Sequence, residues 1–183
     1  GGTVFSYTGA VMPLPTGVQA VAENNYANPD QALEYLRRMS RSFSYALPGS
    51  MYEVSPDYGM VVQAWNIYSF AIPIVRQFFG IDPMASAKEI RIRPRMPASW
   101  KQASLEAVPV GDNSISLFFE QTGDGKRKVT LLQEQADWQL ILDLDITASS
   151  TWEVLRGNAQ VREEGDHYLL QGSGKELQVL YTP

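Results

Sequence analysis

Glu53 and Asp57 stand four positions apart in the stretch Leu47-Pro48-Gly49-Ser50-Met51-Tyr52-Glu53-Val54-Ser55-Pro56-Asp57-Tyr58-Gly59, with Tyr52 and Tyr58 beside them. Pro48, Gly49, Pro56 and Gly59 punctuate the stretch, which predicts an ordered loop between two helical patterns. Carboxylates and phenols grouped on a loop can accept a proton or hydrogen-bond a polar ligand, and loops set on helices often carry binding and catalysis. The same residue types can also serve locally, with Glu53 capping or pairing and the tyrosines packing.

Other chemistries are narrowed by composition. There are no cysteines, so the chain offers no thiol nucleophile, thiolate metal site or disulfide. A single histidine, His167, rules out a multi-histidine metal site and would have to carry any Ser-His triad alone. His167 follows Glu164-Gly165-Asp166 and reads as a turn residue opening a strand. The net charge of −5 argues against a nucleic-acid surface, which needs a basic face. No cofactor is expected. Gly172-Ser173-Gly174 and Thr122-Gly123-Asp124-Gly125 lack a following helix and a Gly-Lys-Ser/Thr ending, so both read as hairpin turns, not phosphate loops.

The elements that must position the loop follow from periodicity. Gly17–Tyr26 predicts a short helix capped by Thr16. Asn28-Pro29-Asp30 opens a second helix, with Asn as cap, Pro in the first turn and Asp at the positive end of the dipole. It is expected to run to Tyr45, with Ala32, Leu36, Met39 and Phe43 as its buried stripe and Arg37, Arg38 and Arg41 on a solvated face. Met60 to Phe79 is apolar nearly all round and predicts a buried helix kinked at Pro73. Gln63, Asn66, Arg76 and Gln77 interrupt it, which argues against a membrane span.

Near Lys88 the period changes to alternation. Strands are expected at 89–93, 104–110, 114–121, 126–133, 138–144, 151–155, 160–163, 167–171 and 176–181, separated by Gly/Asp/Asn turns. Trp100, Trp138 and Trp152 are assigned to sandwich or interdomain packing. The predicted fold class is α+β, with helices over residues 1–84 and an antiparallel β-sandwich over 85–183.

Three short motifs in order give a resemblance. Gly2-Thr3-Val4-Phe5 is similar to a Gly-Thr-Val-Trp loop, Gly49-Ser50-Met51-Tyr52-Glu53-Val54 to a Gly-Ser-(apolar)-x-Glu-(apolar) loop, and Gln63-Ala64-Trp65 to a helix opening with Gln-Ala-Trp. Together they resemble the C-terminal end of the catalytic domain in glycogen-debranching amylo-α-1,6-glucosidases. Those belong with inverting glycosidases built on an (α/α)6 barrel, including α-L-rhamnosidases. The stretch Ile90 to Trp100 looks like the start of the β-sandwich that follows such barrels.

The resemblance implies that residues 1–84 are the last helices of an incomplete (α/α)6 barrel and that Glu53 is the general base. Phe5, Tyr52, Asp57, Tyr58 and Trp65 would line the sugar site. An inverting hydrolase needs an ionised carboxylate on one side of the sugar and a protonated one on the other. The acids ahead of Glu53 (Glu23, Asp30 and Glu34) match no motif for the second role. A complete barrel needs on the order of 300 residues or more. The chain, which opens without a Met, is therefore expected to be a piece that is inactive alone and rests on the remainder of the barrel or self-associates through exposed helices. The alternative is a non-catalytic β-sandwich with a helical cap, binding carbohydrate or another protein.

Overall fold

The computed structural model describes residues 12–45, 47–54, 59–147 and 149–183. The chain divides into two compact units, Gly1–Phe78 and Phe79–Pro183.

The first unit holds α1 (Pro13–Asn25), α2 (Pro29–Ser40) and α3 (Ala64–Ile72), the last continuing as a π-helical turn over Pro73–Phe78. Helix α1 starts four residues earlier than the Thr16 cap predicts, because Pro13 occupies the first turn, where its missing N–H costs nothing. Thr16 instead donates its hydroxyl back to Met12 O at 3.3 Å. Helix α2 begins at the expected place, but the Asn28 side chain makes no cap; its amide donates to Glu23 Oε2 at 3.2 Å. Ala32, Leu33, Leu36 and Met39 form its buried stripe, whereas the helix stops at Ser40 and Phe43 lies exposed beyond it. On the opposite face Arg38 pairs with Glu34 at 2.8 Å.

Helix α3 departs most from expectation. It begins at Ala64, not Met60, and it is not buried on most sides. Its buried residues are Asn66 and Ser69, while Trp65 and Tyr68 are more than half exposed. The reason is a close crossing with α1. A Cβ on Gly17 would fall 2.2 Å from Ser69 Cβ, so two small residues set the contact and turn the aromatics outward. The turn after Ile72 widens at Pro73, whose absent N–H breaks the regular ladder.

The second unit is one mostly antiparallel sheet folded on itself. Its strands are β1 (Ile81–Met84), β2 (Glu89–Ile92), β3 (Gln102–Val110), β4 (Asn113–Gln121), β5 (Arg127–Gln133), β6 (Gln139–Asp145), β7 (Thr151–Glu164) and β8 (His167–Thr182). The order is β1-β2-β6-β8-β5-β4-β3, with β7 on the other edge of β8. All pairs are antiparallel except β2–β6. Strand β1 runs through Asp82-Pro83, and Pro83 is tolerated because the strand lies on the sheet edge.

The four short strands expected after residue 150 are two long ones. In β8, residues His167–Ser173 pair with β6 and Glu176–Tyr181 pair with β5, so one strand serves both halves of the sheet. Strand β7 follows it along its length, slipping register at Leu155 and Gly157. Gly157, at φ +78°, sits where a Cβ would fall 2.3 Å from Glu176 O, and Gly172 sits where one would fall 2.6 Å from Asn158 O. These glycines, expected to end strands, are the corner at which a continuous hairpin bends. Ile90, Ile92, Leu140, Leu142 and Leu170 fill one side of the corner, and Leu117, Phe119, Val129, Leu131 and Val179 the other. Trp138 is fully buried among them, as assigned; Trp152 is not, standing edge-on to Tyr168 at 6.3 Å and 38% exposed.

A buried amide pins the corner. Gln133 Nε2 donates to Trp138 O at 3.0 Å and Gly174 O at 2.6 Å, and Gln133 Oε1 accepts from Asn113 Nδ2 at 2.9 Å. Asn113 Oδ1 accepts from the N–H groups of Ser114 and Gln135, both at 2.9 Å. Replacing Gln133 by Leu leaves three buried or partly buried polar groups without that partner, each costing about 1–3 kcal/mol. Denaturant unfolding followed by Trp138 fluorescence should show a loss of on the order of 3 kcal/mol or more; a loss below about 1 kcal/mol would show that the amide is not the tie.

Candidate active site

The loop that carries Glu53 is built from its motif outward. Gly49 takes φ +74°, open to glycine at no steric cost. Ser50 is buried; its hydroxyl donates to Leu47 O at 2.7 Å and accepts from Leu47 N at 3.2 Å, while its carbonyl accepts from Ser44 N at 2.7 Å. Met51 and Val54 are buried pegs on either side of half-buried Tyr52 and Glu53. Gln63 N donates to Met51 O at 3.3 Å, and Asn66 Nδ2 donates to Tyr52 O at 2.6 Å, so the start of α3 holds the loop backbone. The spacing of serine, apolar residue, glutamate and apolar residue thus has a mechanical basis, as does the distance to Gln63-Ala64-Trp65.

Glu53 closes the loop at its other end. Its N–H donates to Met60 O at 2.9 Å, and its Oε2 accepts from Met60 N at 3.2 Å. Gly59, at φ +76°, lies where a Cβ would come 2.5 Å from Glu53 Oε2, so only glycine leaves room for the carboxylate. Of the residues expected to line a sugar site, Tyr52 is half-buried beside Glu53 and Trp65 is 52% exposed on the first turn of α3. Phe5, Asp57 and Tyr58 lie outside the described residues. Sequence reasoning missed Gln63 as a candidate: it is buried, and neither polar atom of its amide has a partner among the described residues. Buried amides without partners are rare enough in folded proteins to call for an explanation.

A second cluster was also missed, this one in the sheet. Parallel pairing of β2 with β6 places Arg91 and Arg93 beside Asp143 and Asp145, and β8 brings His167 opposite Asp145. Arg91 Nε donates to buried Asp143 Oδ2 at 2.8 Å, His167 Nδ1 lies 2.8 Å from Asp143 Oδ1, and Arg93 pairs with Asp145. His167 does open a strand, and its ring sits against Asp143 and Asp145 beside the arginine pairs. The only signal in the sequence was alternation, Arg-x-Arg and Asp-x-Asp, about fifty residues apart. Partial burial opposes ionisation of Asp145; the hydrogen bond and charge of Arg93, with Arg95 and His167, outweigh it and hold the carboxyl below its ordinary value of 3.8.

Among the described residues, no group of three or more His, Asp or Glu side chains could hold a metal ion. No described helix is long and apolar enough to cross a membrane.

Fold and site together define an α+β protein with a helical unit carrying a braced glutamate loop and a sheet unit of mostly antiparallel strands. No family model matches the sequence, and no curated protein matches it. Among solved structures the chain is similar to the Streptomyces avermitilis α-L-rhamnosidase, crystallised in complex with L-rhamnose, with a TM-score of 0.43 and 16% identity over 70% of this chain. The matched region spans 13% of that enzyme's length. Overlap of that degree assigns no activity here.

The depressed Asp145 pKa makes a testable statement about pH. A carboxyl lowered in the folded state contributes stability that is complete above the unfolded value and lost as pH falls below it. Stability of the sheet unit should therefore drop as pH is taken below about 3.8, and Asp145→Asn should flatten that part of the profile while lowering stability at neutral pH. An unchanged acid limb in the variant, followed by Trp138 fluorescence, would contradict this role.

Proposed function

We propose that this chain is the C-terminal part of an inverting glycoside hydrolase acting on α-linked glycans or oligosaccharides, with Glu53 as its general base. The observation that carries the reading is the bracing of Glu53. Its backbone and carboxylate both bond to Met60, with Gly59 packed against it and the start of α3 behind the loop. A general base must be held still relative to the water it deprotonates, and a carboxylate fixed by a backbone N–H meets that need. The order of the Gly-Ser-Met-Tyr-Glu-Val and Gln-Ala-Trp motifs supports the same assignment. Tyr52, Trp65, Phe5, Asp57 and Tyr58 are taken as the sugar-site side chains, with Gln63 behind them as a positioning residue.

In this reading the helical unit belongs to an (α/α)6 barrel whose other helices supply the general acid. The outward aromatics of α3 support that placement. Tyr68 and Ile72, with Val18 and Val21 of α1, line an apolar groove of about 160 Å³ at the Gly17–Ser69 crossing. Further helices of the barrel would cover it, or, failing that, a second copy of the chain.

The mechanism asks each residue for one task. Glu53, ionised, takes a proton from water held on the face of the sugar opposite the scissile bond. The acid, about 6.5–9.5 Å away, protonates the leaving oxygen, and the anomeric centre inverts. In the complete enzyme, Glu53→Gln should lower the hydrolysis rate by about 10²–10⁴-fold with folding unchanged, since the amide keeps the Met60 contact but cannot accept the proton. Turnover at the wild-type rate would remove the assignment. The present chain by itself should hydrolyse nothing, lacking the acid.

A further inference from the structure

Strand β7 is the longest free edge among the described residues. It pairs with β8 along its length, and its other side meets no described strand. None of its 14 residues is buried. An edge of that length presents a row of N–H and C=O groups that can template a further strand. Trp152 and Leu155 stand exposed along it.

Faces, bend and charge decide which strand fits. Val154 lies opposite Val179 and Val161 opposite Leu170, both fully buried, so the two valines are on the core face. By alternation their neighbours Glu153 and Arg162 are on the outer face. An unbroken strand would put Val154 and Val161, an odd interval apart, on opposite faces; the register slips between them bring both inward. The strand also bends at Gly157, so a straight partner would follow only one of its limbs. A second copy, turned about a two-fold axis that passes through the bend perpendicular to the sheet, bends the same way and runs antiparallel.

Centred between Gly157 and Asn158, two such strands overlap end to end, Thr151 against Glu164. Glu153 then faces Arg162 of the second copy and Val154 faces its Val161, each pair occurring twice and each with its faces matched. Edge charges ordinarily repel a partner strand. In this register no like charges are opposed: Arg156 faces Ala159, and Glu163 faces Trp152. Sliding by one pleat in one direction sets Glu153 against Glu164, and in the other direction it loses both Glu–Arg pairs. In a single copy Arg162 reaches Glu164 at 3.1 Å with both side chains more than half exposed, so its guanidinium keeps donors for a second carboxylate.

We propose that β7 is a self-recognition edge, through which two copies of the chain pair antiparallel over Thr151–Glu164 and join their sheets. The proposal rests on neither Glu53 nor the carbohydrate reading.

Sedimentation equilibrium of the 183-residue chain across the micromolar to millimolar range tests it. A monomer–dimer equilibrium is expected. Arg162→Glu sets glutamate against glutamate in both pairs and should weaken the dimer by at least about tenfold. Glu153→Arg, opposing arginine to arginine, should do the same. The two substitutions together restore opposite charges and should return the dimer to near its original strength. Both side chains are exposed, so the fold, followed by Trp138 fluorescence, should be unchanged in all three variants. A chain that stays monomeric at millimolar concentration, a dimer indifferent to both single substitutions, or a double variant no stronger than either single one would overturn the proposal.

Discussion

The side chain of Gln133 is the tie on which the second unit depends. It joins the end of β5 to the start of β4 through Asn113, to the start of β6 through Trp138 O, and to the bend of β8 through Gly174 O. Every one of those partners is a buried or partly buried polar group that must be satisfied where water is absent. Strand β8 can therefore leave β6 and take up β5 at one fixed place. From that place the rest follows. His167 comes to lie opposite Asp145 at one end of the strand, and Tyr181 opposite Arg127 at the other.

Much of this was legible in the residues, and what was not has identifiable causes. Asn28-Pro29-Asp30 marked the start of α2, and the four- and three-residue spacing of Ala32, Leu36 and Met39 marked its inner face. Alternation in β4 and β5 marked their core residues, and Thr122 to Lys126 turns between them with Thr122 N bonded to Lys126 O at 2.9 Å. Gly157 and Gly172 were misread as strand ends. A glycine signals positive φ or a close approach of two chains, and only the partner strands decide whether that means a turn or a corner. Likewise, the apolar residues of α3 do not say which face turns inward. Gly17 on another helix and Tyr52 O on the loop decide that, and they select Ser69 and Asn66. The Arg91–Asp143 pair needed the parallel β2–β6 register, which no local pattern encodes.

The candidate site divides in the same way. The motif around Glu53 was readable because its parts are local: Ser50 bonds three residues back, and Met51 and Val54 bracket the acid. The reciprocal contact with Met60 and the tight fit of Gly59 add what the motif alone could not give, a reason for the carboxylate to hold one orientation. Gln63 was read as the opening of a motif and not as a site residue, because a buried amide is invisible until its surroundings are known.

The proposed hydrolysis depends on Glu53 removing a proton from water on the far side of an α-linked sugar. The most direct measurement is proton NMR of the product formed by the complete enzyme carrying Glu53→Ala, given an activated α-glycoside in the presence of sodium azide. Azide needs no deprotonation and can occupy the space left by the carboxylate and its water. Restored turnover giving the β-glycosyl azide is the predicted result. An α-configured azide, or a rate indifferent to azide in a variant that still turns over, would contradict it.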